Sequence, residues 1–136
     1  MVGPSSEAVL YRMASSPTDK PKVLVVEDSR TMRETLRILL SLDFECRVAD
    51  GGTQALVLAL AEPPDVLVSD VEMQGVDGYE LVRRVRAQPT LAHTPLILLS
   101  GHPPRSEAHG ADLYLVKPVK PALLIERIHS LLRPRS

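Results

Sequence analysis

Short apolar runs of strand length alternate with longer amphipathic runs of helix length along most of the chain, and that rhythm leaves few folds open. Lys22-Val23-Leu24-Val25-Val26 and Val66-Leu67-Val68-Ser69-Asp70 are β-branched and leucine-rich, the composition of strands covered on both faces. Pro95 to Ser100 repeats the pattern, Glu45 to Ala49 suits a short strand, and Leu113 to Val116 reads as a fifth. Between the first two, Ser29 is placed to cap a helix running to about Leu42, with Met32, Leu36, Leu39 and Leu40 on one face. Thr53 to Ala61 is helical and stopped by Pro63-Pro64, while Tyr79 to about Gln88 turns Leu81, Val82 and Val85 inward. Ala122 to Leu132 closes the chain as a helix, with Pro121 in its first turn. Strands joined by helices pair in parallel, so the expectation is an α/β three-layer sandwich: a five-stranded parallel sheet with helices on both faces.

One connection breaks the rhythm. Between the fourth and fifth strands, Pro103-Pro104 and Gly110 leave room for at most about one helical turn. The fourth helix of a regular crossover is therefore expected to be shortened or missing.

The totals narrow the function classes. A chain of 136 residues with 44% hydrophobic and 24% charged content suits one domain with a real core. The formal net charge of −1, without a basic block, gives no nucleic-acid footprint. No apolar stretch approaches the roughly 20 residues of a membrane span, and a cytoplasmic location is the default expectation. Cys46 has no internal disulfide partner and is expected to be a buried, inert thiol. Residues 1–20 read as a flexible leader, 21–133 as the domain and 134–136 as a tail.

Four strand ends carry polar groups: Glu27-Asp28, Asp70, Ser100 and Lys117. A parallel sheet gathers all of them at one edge, where open α/β sheets bind ligands. Acids meeting there repel one another unless a divalent cation joins them, and Mg²⁺ takes such oxygen donors. Lys117 adds a mobile positive charge and Ser100 a hydroxyl, both suited to phosphoryl oxygens. A carboxylate is an accepted phosphoryl nucleophile, and phosphoryl transfer asks for little beyond positioning and charge neutralisation. The set is sufficient for Asp70 to become an acyl phosphate.

Over roughly residues 21–133 the chain resembles a receiver domain of two-component response regulators. The resemblance rests on Val23-Leu24-Val25-Val26-Glu27-Asp28, Asp70-Val71-Glu72-Met73, Asp77-Gly78-Tyr79-Glu80, Leu99-Ser100-Gly101, Gly110-Ala111-Asp112-Leu113-Tyr114 and Lys117-Pro118, in order. It implies the flavodoxin-like strand order 2-1-3-4-5. It also implies that Asp70 accepts a phosphoryl group from a sensor histidine kinase or phosphotransfer protein. Asp28, Asp70 and the Glu72 carbonyl would hold Mg²⁺, with Glu27 acting through metal-bound water. Ser100 and Lys117 would contact the phosphoryl group, Tyr114 would turn inward, and Lys117-Pro118 would be cis. Glu72 and His102 sit where family members tune self-dephosphorylation, so slow loss of phosphate, not turnover of a substrate, is expected.

Gln74 stands where a proline is common in the family and Val119 where an aromatic is frequent. Ser100 and Lys117 are closer together than the family pattern, which alters the usual output face. The expected function is a single-domain response regulator that signals by contact with a downstream protein, as a monomer or a phosphorylation-dependent dimer. A constitutive receiver-like binding module is the competing reading. Asp70-Val71-Glu72 also faintly resembles the two-acid motif of haloacid-dehalogenase-like phosphatases, against which Met73 and the missing cap domain argue. His93, His109 and His129 read as surface residues, and Arg83, Arg84 and Arg86 as the wet face of a helix.

Overall fold

A computed structural model describes residues 20–133. The expected leader, except Lys20, and the expected tail lie outside the described residues. Five strands, β1 (Lys22–Val26), β2 (Glu45–Ala49), β3 (Val66–Asp70), β4 (Leu96–Ser100) and β5 (Leu113–Val116), form one sheet in the order β2-β1-β3-β4-β5. Every neighbouring pair is parallel. Four helices are described: α1 (Arg30–Leu40), α2 (Gly52–Ala61), α3 (Gly78–Arg86) and α4 (Pro121–Leu132).

Side chains that alternate along a strand fill two separate cores, one on each face of the sheet. Leu24, Val26, Leu67, Leu96 and Leu98 pack with Ala55 and Ala59 of α2 and Leu81, Val82 and Val85 of α3. Val23, Val25, Val66, Val68 and Ile97 pack with Leu40 of α1 and Leu124 and Ile128 of α4. The sandwich is as the alternation predicts. Among the described residues no helix is long and apolar enough to cross a membrane.

Helix ends follow local chemistry. Ser29 Oγ accepts from the Met32 amide and Asp77 Oδ1 from the Glu80 amide, each relieving a donor that the first helical turn leaves without a partner. Gly78 is required by packing: a Cβ there would lie 2.6 Å from the Asp70 carbonyl oxygen and 2.8 Å from Val71 Cα. The Gly78 amide donates to the Val71 carbonyl at 2.9 Å, so α3 starts directly on the end of β3.

Several expectations need correction. Helix α1 stops at Leu40 instead of about Leu42, and α3 at Arg86 instead of about Gln88. Met32 is 43% exposed and lines an apolar cavity with Leu36 and Leu124, because the first turn of α1 overhangs the sheet end. Cys46 is only half-buried, although burial still pushes its thiol up to about 11. His129 is half-buried against Asp43 and the Phe44 ring, and His109 accepts from the Ala111 amide. Arg86 is not a wet-face residue. It donates to the carbonyls of Ala92, Thr94 and Gly110 and to Asp112, whose same oxygen accepts from the Leu96 amide.

Residues 101–112 contain no helix, the outcome that the two prolines and Gly110 predict. Gly110 has a φ of 82°, a conformation that suits glycine, just before the chain re-enters the sheet. Because no helix covers this side, β5 is half-buried and Val116 is exposed, whereas all of β3 and β4 is buried.

Candidate functional site

The carboxyl ends of β1 and β3 lie side by side in the sheet, with Val26 in register with Ser69. Glu27-Asp28 and Asp70 therefore emerge at one edge. One carboxylate oxygen from each of Glu27, Asp28 and Asp70 lies within 4.8 Å of the others. Glu27 and Asp70 are buried, and Asp28 is exposed.

Lys117 reaches the same place from the end of β5, anchored by its amide to the Ser100 carbonyl at 2.7 Å. Its ammonium pairs with Asp70 Oδ1 and lies 3.8 Å from Glu27 Oε1. The Lys117-Pro118 peptide is cis, as the resemblance implies. Three ionised carboxylates against one ammonium leave a surplus of two negative charges, which one divalent cation would balance. The donors are all hard oxygens, so the set fits Mg²⁺ in its chemistry.

The electrostatics show the crowding. Burial, with Asp28 and Glu72 nearby, raises the Asp70 carboxyl above the usual range despite the opposing pull of Lys117. Burial and Asp70 raise Glu27 against the help of the Ser29 amide and Lys117. Burial alone would lower the Lys117 ammonium, but the bond to Asp70 and the charge of Glu27 outweigh it and raise it.

Ser100 and Glu72 form a second group beside this one. The Ser100 hydroxyl faces both Glu72 carboxylate oxygens, at 2.9 and 2.8 Å, and accepts from the His102 amide at 3.0 Å. The Gly101 amide also donates to Glu72. His102 carries on to Tyr114, whose hydroxyl donates to the His102 carbonyl at 2.7 Å. The His102 ring is in no bond described here; its backbone makes the links.

All the residues singled out from the sequence thus lie at one sheet edge, in two linked sets: Glu27, Asp28, Asp70 and Lys117, and Glu72, Ser100, His102 and Tyr114. Two more were missed. Tyr79, at the start of α3, stacks near Tyr114 with ring centroids 6.4 Å apart and accepts from the Arg105 amide. Arg105 reaches the site from the irregular segment. Asp77-Gly78-Tyr79 was visible as part of the family pattern, but nothing in the local sequence marked Arg105.

The molecule is thus an α/β protein with a five-stranded parallel sheet whose carboxyl edge carries an acidic cluster and a lysine. Residues 23–129 match the family described as the response regulator receiver domain, and the chain belongs to that family. Members of this family are phosphoacceptors and bind Mg²⁺ through acidic residues. Among curated relatives, the chain is 36% identical over 120 residues to the sensor histidine kinase TmoS of Ectopseudomonas mendocina, covering 85% of this chain and 12% of that protein. It is 36% identical over 119 residues to the phosphate regulon transcriptional regulatory protein PhoB of Rhizobium meliloti, covering 83% of this chain and 52% of that one. The chain thus spans about half or less of the length of these relatives. Among solved structures, chemotaxis protein CheY4 of Vibrio cholerae superposes with a TM-score of 0.77 at 33% identity, over 83% of this chain and 99% of that one.

Proposed function

We propose that Asp70 accepts a phosphoryl group from a histidine kinase or phosphotransfer protein, and that the phosphorylated domain signals by contact with a downstream protein in the cytoplasm. The observation that carries this reading is the meeting of Glu27, Asp28 and Asp70 within 4.8 Å, with the Lys117 ammonium on Asp70. An Asp70 carboxylate oxygen forms the new bond to phosphorus as the phosphorus–nitrogen bond of the donor histidine breaks. The leaving imidazole keeps the bonding pair and takes a proton from solvent. Lys117 moves its charge from the Asp70 carboxylate to a phosphoryl oxygen, staying near Glu27.

Asp28, Asp70 and the Glu72 carbonyl would hold Mg²⁺, with Glu27 acting through metal-bound water, and the ion when bound supplies charge neutralisation for the phosphoryl oxygens. Ser100 leaves Glu72 to donate to another of those oxygens, and Tyr114 leaves the His102 carbonyl as that segment moves. By the family resemblance, Glu72 and His102 tune the lifetime of the acyl phosphate.

Acetyl phosphate with Mg²⁺ should add one phosphoryl group by intact mass, and Asp70→Asn should abolish it. Equal labelling of the Asn variant would defeat the assignment. One observation favours the competing constitutive module: no helix covers β5 between residues 101 and 112. That reading predicts the same downstream binding in the wild type and in Asp70→Asn.

A further inference from the structure

The rim of the site carries a basic side chain to which the phosphoacceptor reading gives no task. Residues 101–112 fold back over the loop after β3 and bring Arg105 into a cavity of about 410 Å³ that it shares with Asp28, Glu72, Met73, Gln74 and Asp77. Three contacts fix it there. Its amide donates to Tyr79 Oη at 3.2 Å, its guanidinium carbon sits 4.6 Å from the centre of the Tyr79 ring, and its Nη2 lies 3.9 Å from Asp77 Oδ2. The side chain is still 74% exposed, so a pair at that distance neutralises little of its charge.

The cavity is otherwise acidic. Asp28, Glu72 and Asp77 line it, and Arg105 is its one basic residue. Lys117 is held away from it by Asp70 and Glu27. A phosphodonor is an anion, and the carboxylates of this cavity, of which Asp28 also belongs to the acidic cluster with Asp70, repel it. A positive charge held over an aromatic ring at this rim attracts phosphoryl oxygens.

We propose that Arg105 is a phosphodonor-binding residue: planted on Tyr79, it offers a fixed positive charge at the mouth of the site that draws the donor's phosphoryl oxygens past the acids. The inference rests on Asp70 as the acceptor. With acetyl phosphate, an Asp70 oxygen bonds to phosphorus as the bond from phosphorus to the acetyl oxygen breaks, and acetate leaves with the bonding pair. Arg105 acts on the entry and orientation of the donor, and the bond-making groups remain Asp70 and Lys117.

The test measures the second-order rate constant for phosphorylation of the whole chain by acetyl phosphate in Mg²⁺. Arg105→Ala and Arg105→Gln should slow it about fivefold at low ionic strength, the size expected for one exposed charge, while Arg105→Lys stays within about twofold of wild type. The deficit should shrink with added salt, and be smaller for phosphoramidate, a donor of lower net negative charge. A readout without reaction is the shift of the amides of residues 101–112 on titration with acetylphosphonate, an unreactive analogue. Its half-saturation should move to higher concentration in Arg105→Gln. Wild-type rates in Arg105→Ala, with Asp70→Asn unlabelled, overturn the inference and leave the phosphoacceptor reading standing. Equal losses in Arg105→Ala and Arg105→Lys assign Arg105 to packing on Tyr79 and also overturn it. Labelling that persists in Asp70→Asn overturns the underlying reading itself.

Discussion

The ammonium of Lys117 faces Asp70 and Glu27 at once, with Asp28 a few ångströms away. Burial has raised both buried carboxyls, so the folded chain holds their protons more tightly than the unfolded chain does. The linkage then has a definite sign. Without divalent cation, the stability cost of the two ionised acids is full at neutral pH. It is relieved as pH falls through their raised values, and the relief is complete below the ordinary values of 3.8 and 4.5. Asp70→Asn removes one of those charges and should gain stability near neutral pH in chelator, less at mildly acidic pH. Denaturant midpoints at two pH values check this; a loss of stability in Asp70→Asn at neutral pH would contradict the charge crowding. The acids themselves were legible from the sequence, because each ends a buried strand and a parallel sheet sends such ends to one edge. Arg105 and the clamping role of Arg86 were not. Both act through contacts with segments remote in the chain, and an isolated arginine looks the same whether it is solvated or clamped.

At the scale of elements, the junction of β3 and α3 holds the site in shape. Gly78 lies directly against the Asp70 carbonyl oxygen and Val71 Cα, so a side chain there has to displace the backbone of Asp70, the proposed acceptor. Gly78→Ala should cost about 1–3 kcal/mol, the usual range for overpacking, and slow phosphorylation of Asp70. Chemical denaturation and labelling with acetyl phosphate test the two effects together; wild-type behaviour in both would show that the junction yields freely. Strands and helices here were readable because their apolar periods are strong, as in Leu81, Val82 and Val85, all buried. Ends were less so: α1 and α3 each stop two residues before the expected end, and Leu42 is exposed where the apolar pattern invited a longer α1. The break at residues 101–112 was visible in its prolines, but its path over Tyr79 depends on tertiary contacts that no local pattern encodes.

Across the whole molecule, protection is uneven by construction. Strands β1, β3 and β4 are central and covered on both faces, whereas β5 sits at an edge beside a helix-free segment. Among the described residues, hydrogen exchange should therefore be slowest in β1, β3 and β4 and fastest in residues 101–112. Adding Mg²⁺ with beryllofluoride, a phosphoryl mimic, should slow exchange in that segment and in β5 if Ser100 and Tyr114 respond to the site. Unchanged exchange there with the mimic bound would favour the constitutive module. The sequence pointed to a shortened or missing helix; it could not show that Ser100, His102, Tyr114, Tyr79 and Arg105 would form one connected path in its place.

The pairing of Ser100 with Glu72 sets a threshold for that path. One hydroxyl proton is already committed to a carboxylate, so a phosphoryl oxygen wins it only by outbidding an acceptor of like charge. Charge-assisted bonds of this kind contribute about 1.5–3 kcal/mol, comparable to the whole bias of many two-state proteins. The sensitivity of the proposed switch thus depends on a single neighbouring acid, and exchanging that acid would retune the response and, because Glu72 also raises the Asp70 carboxyl, shift the proposed acceptor with it.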